Sequence, residues 1–185
     1  MPEIEQIKEF VIAGHGNLEK LKSMLETNPE LLLEKFEWRE NDFESALEGA
    51  SHVGNRAIAM FLIGQGAPKE ITTAAMLGEI DAVKTMLEKQ PDLIQYKGAH
   101  GIALLPHAAL SGNLELVKML FERGATEGAS MALTLVASRG FTDVAVWLVQ
   151  QAQPDLSWKN FAGKTALEIA TETNDTAMIA AIKGS

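Results

Sequence analysis

Gly101–Ala125 reads GIALLPHAALSGNLELVKMLFERGA, and the fold of the whole chain turns on how these residues are parsed. Ala108, Ala109 and Leu110 close a short apolar helix, Gly112 is free to take the left-handed conformation that ends it, and Asn113 is a favoured cap for the next. The second helix then carries Leu114, Val117, Leu120 and Phe121 at helical spacing. The stretch is therefore a helical hairpin.

With Gly112 as a register mark, edited copies of the hairpin occur at Gly16, Gly54, Gly78, Gly140 and, with asparagine in the glycine position, Asn174. Three residues before the marks stand Ala13, Ser51, Ala75, Ala109, Ala137 and Thr171; five after stand Leu21, Ala59, Val83, Val117, Ala145 and Ile179; eight after stand Met24, Leu62, Met86, Leu120, Leu148 and Ile182. None of these positions is charged. Small residues before the turn let two helices approach closely, and the later apolar pair gives each second helix a stripe to bury. Periodicity of this kind predicts a stacked all-α array.

Ser45-Ala46-Leu47 with Ala50, Ser51 and Gly54, Leu104-Leu105 with Ala108-Ala109 and Gly112, and Gly163-Lys164-Thr165-Ala166-Leu167 with Ala170 resemble the ankyrin repeat consensus. Its features are a G-x-T-P-L-H-x-A-A core, a glycine turn, an apolar second helix and a closing Gly-Ala, the last present as Gly66-Ala67 and Gly124-Ala125. The T-P-L-H tetrapeptide is nowhere intact, because Glu48, Pro106 and Glu168 hold the histidine position, so hydrogen bonding at the starts of the first helices is expected to depart from the family's. The resemblance implies a helical solenoid with β-like fingers and a concave protein-binding face.

The marks are unevenly spaced, but Gly16 to Gly78, Gly78 to Gly140 and Gly112 to Asn174 are each 62 residues apart, so the true period is a pair of units. Odd units end in ETNPELL from Glu26, EKQPDLI from Glu88 and QAQPDLS from Gln151, each with a proline that stops the second helix. The longer segments that follow, 33–43, 94–101 and 156–163, are the three expected fingers and carry Trp38, Tyr96 and Trp158. The junctions at 68–72 and 126–130 are too short for one. Predicted helices cover 3–13, 17–27, 44–53, 55–65, 69–77, 79–89, 103–110, 114–123, 128–138, 142–152, 165–173 and 175–183. With no linker among them, residues 1–185 read as one domain of six units: 3–32, 33–68, 69–93, 94–127, 128–155 and 156–185.

The formal charge is −9, and residues 1–48 hold 12 acids against 5 bases. An acidic surface repels phosphate backbones and anionic lipid, which argues against nucleic-acid and membrane partners; the acidity is either a solvated, solubilising surface or a docking face for a basic protein surface. There is no cysteine, hence no disulfide or thiolate metal site. The opening MPEIEQIKEF has acids where a secretion signal needs bases, and no apolar run approaches a membrane span, so a cytoplasmic location is expected.

No nucleophile and base stand at a recognisable spacing, so the chain is not expected to be an enzyme. Gly14-His15-Gly16 and Gly64-Gln65-Gly66 sit where the repeat needs turns and lack the strand and longer glycine pattern of a phosphate loop. Glu48 and His52 share a helix face four residues apart, but zinc needs three or four protein ligands and no third is close in sequence. No metal or cofactor is expected, and the residues read as a surface pair or as making a local hydrogen bond. His100 and His107 flank the hairpin's start, where a histidine commonly orients a backbone carbonyl.

The function expected from shape is a non-catalytic protein–protein interaction module, a monomer or a homodimer. The resemblance places the binding face on the fingers and on the residues just before each turn glycine. Those are Trp38, Asp42, His52, Val53, Met76, Leu77, Tyr96, His100, Leu110, Ser111, Ser138, Arg139 and Trp158, with His15, Glu172 and Thr173 at equivalent helix ends. Met76, Leu77 and Leu110 form either an exposed apolar patch or part of the core. Glu34, Glu37, Glu40, Asp42, Glu44 and Glu48 crowd Trp38 as an acidic cluster suited to a basic partner. Two other classes remain open: a small-molecule or metal binder using His52, Glu48 and neighbouring groove residues, and a self-assembling structural subunit.

Overall fold

The structure, a computed structural model, describes residues 2–184; Met1 and Ser185, the ends of the expected domain, lie outside the described residues. Among these, twelve α-helices form six hairpins: α1 (Ile4–Gly14) with α2 (Leu18–Thr27), α3 (Ala46–Val53) with α4 (Arg56–Gly64), α5 (Ile71–Met76) with α6 (Ile80–Lys89), α7 (Leu104–Leu110) with α8 (Leu114–Glu122), α9 (Ala129–Arg139) with α10 (Thr142–Gln151), and α11 (Ala166–Glu172) with α12 (Thr176–Lys183). The fold is mostly helical. Each first helix packs on the first helix of the next hairpin in chain order, α1 on α3 through to α9 on α11. No helix of the described residues is long and apolar enough to cross a membrane.

The register marks perform the expected task at five of six positions. Gly54, Gly78, Gly112 and Gly140 have φ of 72°, 73°, 70° and 70°, and Asn174 has 55°, the left-handed region that reverses the chain after a helix. Gly16 does not; α1 closes through His15 in ordinary helical geometry, and Asn17 caps α2 by accepting from the Lys20 amide. Asn55, Asn113 and Asp175 cap the corresponding helices in the same way.

The departures from T-P-L-H have a local consequence. Ser45 Oγ accepts from the Glu48 amide while Glu48 Oε2 accepts from the Ser45 amide at 2.8 Å, and Thr165 and Glu168 repeat the arrangement. Glutamate in the histidine position thus completes a capping box. At α7 the cap position is Ala103, which has no side-chain oxygen, and the buried His107 ring bonds the Ala103 carbonyl at 2.9 Å instead. Ser45→Ala is expected to lower stability by about 1 kcal/mol, measured by urea unfolding; an unchanged midpoint would remove the cap from the account.

Apolar positions of both helices of each hairpin build the core, with Phe10, Leu21, Ile58, Leu62, Leu116, Leu120 and Leu148 fully buried. Met76, Leu77 and Leu110 belong to it, at 0%, 7% and 4% exposure, so they form no apolar groove. The reason lies in α5. It is only six residues long, α3 and α7 meet beyond its end, and two arginines seal the junction. Arg56 donates to the Leu77 and Met76 carbonyls at 2.9 and 3.3 Å, and Arg139 reaches from α9 to the Val53 and Gly54 carbonyls.

The three fingers differ. The first is a β-hairpin, β1 (Lys35–Arg39) antiparallel to β2 (Asp42–Ser45), turning through Asn41 at φ 61°. The second follows a 3₁₀ turn at Pro91–Gln95 and retains a single bridge between Lys97 and Ala103. The third is held by turns, including Asn160 N–H to the Lys164 carbonyl at 2.9 Å, and is not β-like. The first finger is longest and alone carries the alternating Phe36 and Trp38 that pack edge to face, centroids 4.9 Å apart, whereas the second and third are equal in length and only the second keeps a bridge. The junctions at 68–72 and 126–130 have no finger, as expected.

Candidate functional site

Four side chains that lie far apart in sequence meet where the first finger crosses the ends of α1 and α3. His15 follows the last turn of α1, Glu44 is on β2, His52 is in the last turn of α3, and His100 is in the 3₁₀ turn Ala99–Gly101 of the second finger. Alternation along β2 turns Glu44 inward, and it is fully buried, whereas Phe43 beside it is exposed. A register irregularity between Glu37 and Arg39 accompanies the bend that lets the Trp38 indole donate to Glu44 Oε2 at 2.6 Å.

Three imidazole nitrogens converge on the other carboxylate oxygen. Glu44 Oε1 lies 2.7 Å from His52 Nε2, 3.4 Å from His15 Nε2 and 3.4 Å from His100 Nε2, and the His15 and His52 Nε2 atoms are 3.1 Å apart. The far sides of two rings are anchored. His15 Nδ1 donates to the Val11 carbonyl at 3.1 Å, and His100 Nδ1 donates to Asp42 Oδ2 at 3.0 Å. Because those oxygens only accept, the neutral forms of both rings turn a bare Nε2 toward Glu44. Asp42 also accepts from the His100 amide at 2.8 Å, holding that residue at φ 59°, a left-handed value uncommon outside glycine.

The charges follow from these contacts. Burial pushes the Glu44 carboxyl up, but the hydrogen bonds and positive charge of His15 and His52 outweigh it and hold the group well below the usual carboxylate range. The Glu44 hydrogen bond raises His15 against the opposing effect of burial, and the His100 hydrogen bond lowers Asp42. Gly49 makes room: a Cβ there would stand 2.9 Å from His15 Cε1.

The expected Glu48–His52 pair does not form. Glu48 is committed to its capping box and to Lys35 at 2.9 Å, and His52 turns to Glu44. The additional ligating groups absent from the neighbouring sequence come from the residue that closes α1 and from the first hairpin. His15, Glu44 and His52 offer ligand atoms all within 4.8 Å of one another, two imidazole nitrogens and a carboxylate oxygen in the spacing a transition metal takes.

Beside this cluster is a cleft of about 530 Å³ lined by Trp38, Arg39, Asp42, His52, His100, Ile102, Met131 and Phe161. All three fingers and α9 contribute. Phe161 is fully exposed and Trp38 37% exposed, giving an apolar rim over a polar floor. Tyr96 and Trp158 are not part of it; Tyr96 is half-buried with its hydroxyl donating to Glu70 at 2.7 Å, and Trp158 is partly buried. Val53 offers its carbonyl to Arg139, and the hydroxyls of Ser111 and Ser138 donate to the Ala108 and Thr134 carbonyls of their own helices. Of the acidic cluster, Glu44 and Glu48 are buried and Asp42 is paired with Arg39, which leaves Glu37 and Glu40 as exposed acids of the hairpin.

Ile102, Met131 and Phe161 went unmarked in the sequence because nothing in it says that the second and third fingers lean toward the first. The histidines did carry a signal: of four in the chain, three fall at a helix end or a finger tip. No family model matches the sequence, and a search of curated proteins returns no match.

Proposed function

We propose that the chain is an ankyrin-type helical solenoid acting as a non-catalytic binding module for another protein, which it engages through the cleft between its fingers. The observation that carries this reading is the convergence of all three fingers on one cleft, with Trp38, Ile102 and Phe161 as its apolar walls. An exposed aromatic pair around a concave polar floor is the arrangement in which a partner's anchor side chain loses water and contributes most of the affinity. The exposed acids of the first hairpin favour a basic rim on that partner. The ordered stacking of six helical hairpins and the left-handed turn residues support the solenoid reading.

The test compares partners retained from the native cell by the wild type, Phe161→Glu, Ile102→Glu and Met60→Glu. Met60 is an exposed apolar side chain outside the cleft. The two cleft variants are expected to lose the partner and Met60→Glu to keep it. Equal recovery by all four would overturn the assignment.

A further inference from the structure

We propose that His15 Nε2, His52 Nε2 and Glu44 Oε1 bind one first-row transition-metal dication of the zinc type, the fourth position falling to water. The donor spacing is the first argument. Ligands about 2.0–2.1 Å from a tetrahedral ion lie about 3.3 Å from one another, and the three edges here are 3.1, 3.4 and 2.7 Å. An ion therefore enters with shifts of a few tenths of an ångström, chiefly by lengthening the short His52–Glu44 contact.

Proton bookkeeping is the second. With Nδ1 of His15 donating to Val11, a neutral His15 brings a lone pair toward His52 Nε2, whose single N–H is already directed at Glu44 at 2.7 Å. The contact at 3.1 Å between two ring nitrogens is accounted for by a His52 N–H shared between Glu44 and His15, by an extra proton on His15, or by a cation that accepts all three lone pairs once the His52 proton has moved to Nδ1. The surroundings favour the cation. Two of the three donors are oriented from behind or made room for, His15 by Val11 and by the missing Cβ of Gly49 and Glu44 by the Trp38 indole, and the neighbouring His100 is held by Asp42. Imidazole nitrogens with a carboxylate select zinc-like ions over magnesium and calcium, which take all-oxygen shells.

A bound ion would tie α1, the first hairpin and α3 together beneath the cleft. The site stands or falls independently of the protein-partner reading, because it is measured on the isolated chain. Protein stripped by a chelator and freed of it is titrated with zinc chloride by calorimetry and with cobalt chloride by visible absorption. The expected result is one equivalent bound with Kd of about 1 µM or tighter and the ligand-field bands of a low-coordinate nitrogen–oxygen site. Glu44→Gln and His52→Ala should weaken binding by about 100-fold or more, while His107→Gln, which removes the histidine outside the cluster, should bind as the wild type. Circular dichroism checks that each variant folds, and His15→Gln, at a partly exposed helix end, carries the comparison if Glu44→Gln does not fold. Magnesium chloride should give no saturable heat. Binding weaker than about 100 µM, or an affinity that Glu44→Gln, His52→Ala and His15→Gln all leave unchanged, would overturn the proposal and leave a proton-held His–Glu cluster or adventitious surface binding.

Discussion

Gly14→Ala is expected to destabilise the protein by about 2–3 kcal/mol, although alanine is the better helix former. Gly14 is the last residue of α1 and is buried against the start of α3. A Cβ there would stand 2.4 Å from the Ala46 carbonyl oxygen and 2.7 Å from its Cα. Both are backbone atoms at the first position of a helix, so no rotamer change relieves the overlap; α1 must move off α3. The opposing gain in helix propensity is about 1 kcal/mol, smaller than the repacking it would have to offset. For a chain of this length the net loss corresponds to a fall in Tm of roughly 5–10 °C. Hydrogen exchange should place the earliest opening in α1 and α2. Gly16→Ala is the matched control, since a Cβ there meets nothing within 4 Å and its φ lies outside the left-handed region; it should change stability by less than about 0.5 kcal/mol. Equal effects at the two positions would refute the close approach of α1 and α3.

Acidification from about pH 7 to about pH 4.5 should remove about 2.5 kcal/mol of stability through His107 alone. Burial pushes this histidine from 6.5 down to about 4, against the raising effect of its bond to the Ala103 carbonyl. The unfolded chain therefore takes up the proton first. The stability contributed by a neutral His107 is complete above about 6.5, declines as pH falls toward 4, and levels off below that. The neighbouring groups titrate elsewhere. Glu44 and Asp42, held low by their histidine contacts, contribute stability above the ordinary carboxylate range that is lost only at lower pH, and the raised His15 contributes below 6.5 and loses that contribution as pH rises through its folded value. His107→Gln should flatten the profile between about pH 6.5 and 4.5, as read by urea unfolding at a series of pH values. A variant profile parallel to the wild type would exclude His107 as the titrating group.

The helical architecture was legible in the chain because its causes are local. Small residues before each mark and an apolar pair at fixed spacing after it favour a hairpin, with a side-chain cap at four of the six, and the structure has a hairpin at each mark. The alternation of fingered and fingerless junctions followed from segment length. The site was only partly legible. His52, His100, Trp38 and Asp42 were singled out for finger or helix-end positions, and all four line the cleft. In sequence Glu44 is one of six acids in a cluster suited to a basic partner, because its burial depends on the hairpin folding over α1. Met76, Leu77 and Leu110 were equally readable as patch or core until the shortness of α5 brought α3 and α7 together over them.

Sequence alone thus determined the helices, five of the six left-handed turns and which junctions are long, since these rest on contacts within about five residues and on intrinsic backbone preference. Tertiary structure alone decided the chemistry. Placing His15, His52 and His100 around one oxygen of Glu44 requires contacts spanning up to 56 residues of chain, set by how closely α1, α3 and the fingers approach. Gly14 and Gly49 govern that approach through the Cβ atoms they lack, and a missing atom announces its importance only when the neighbour it would strike is in place.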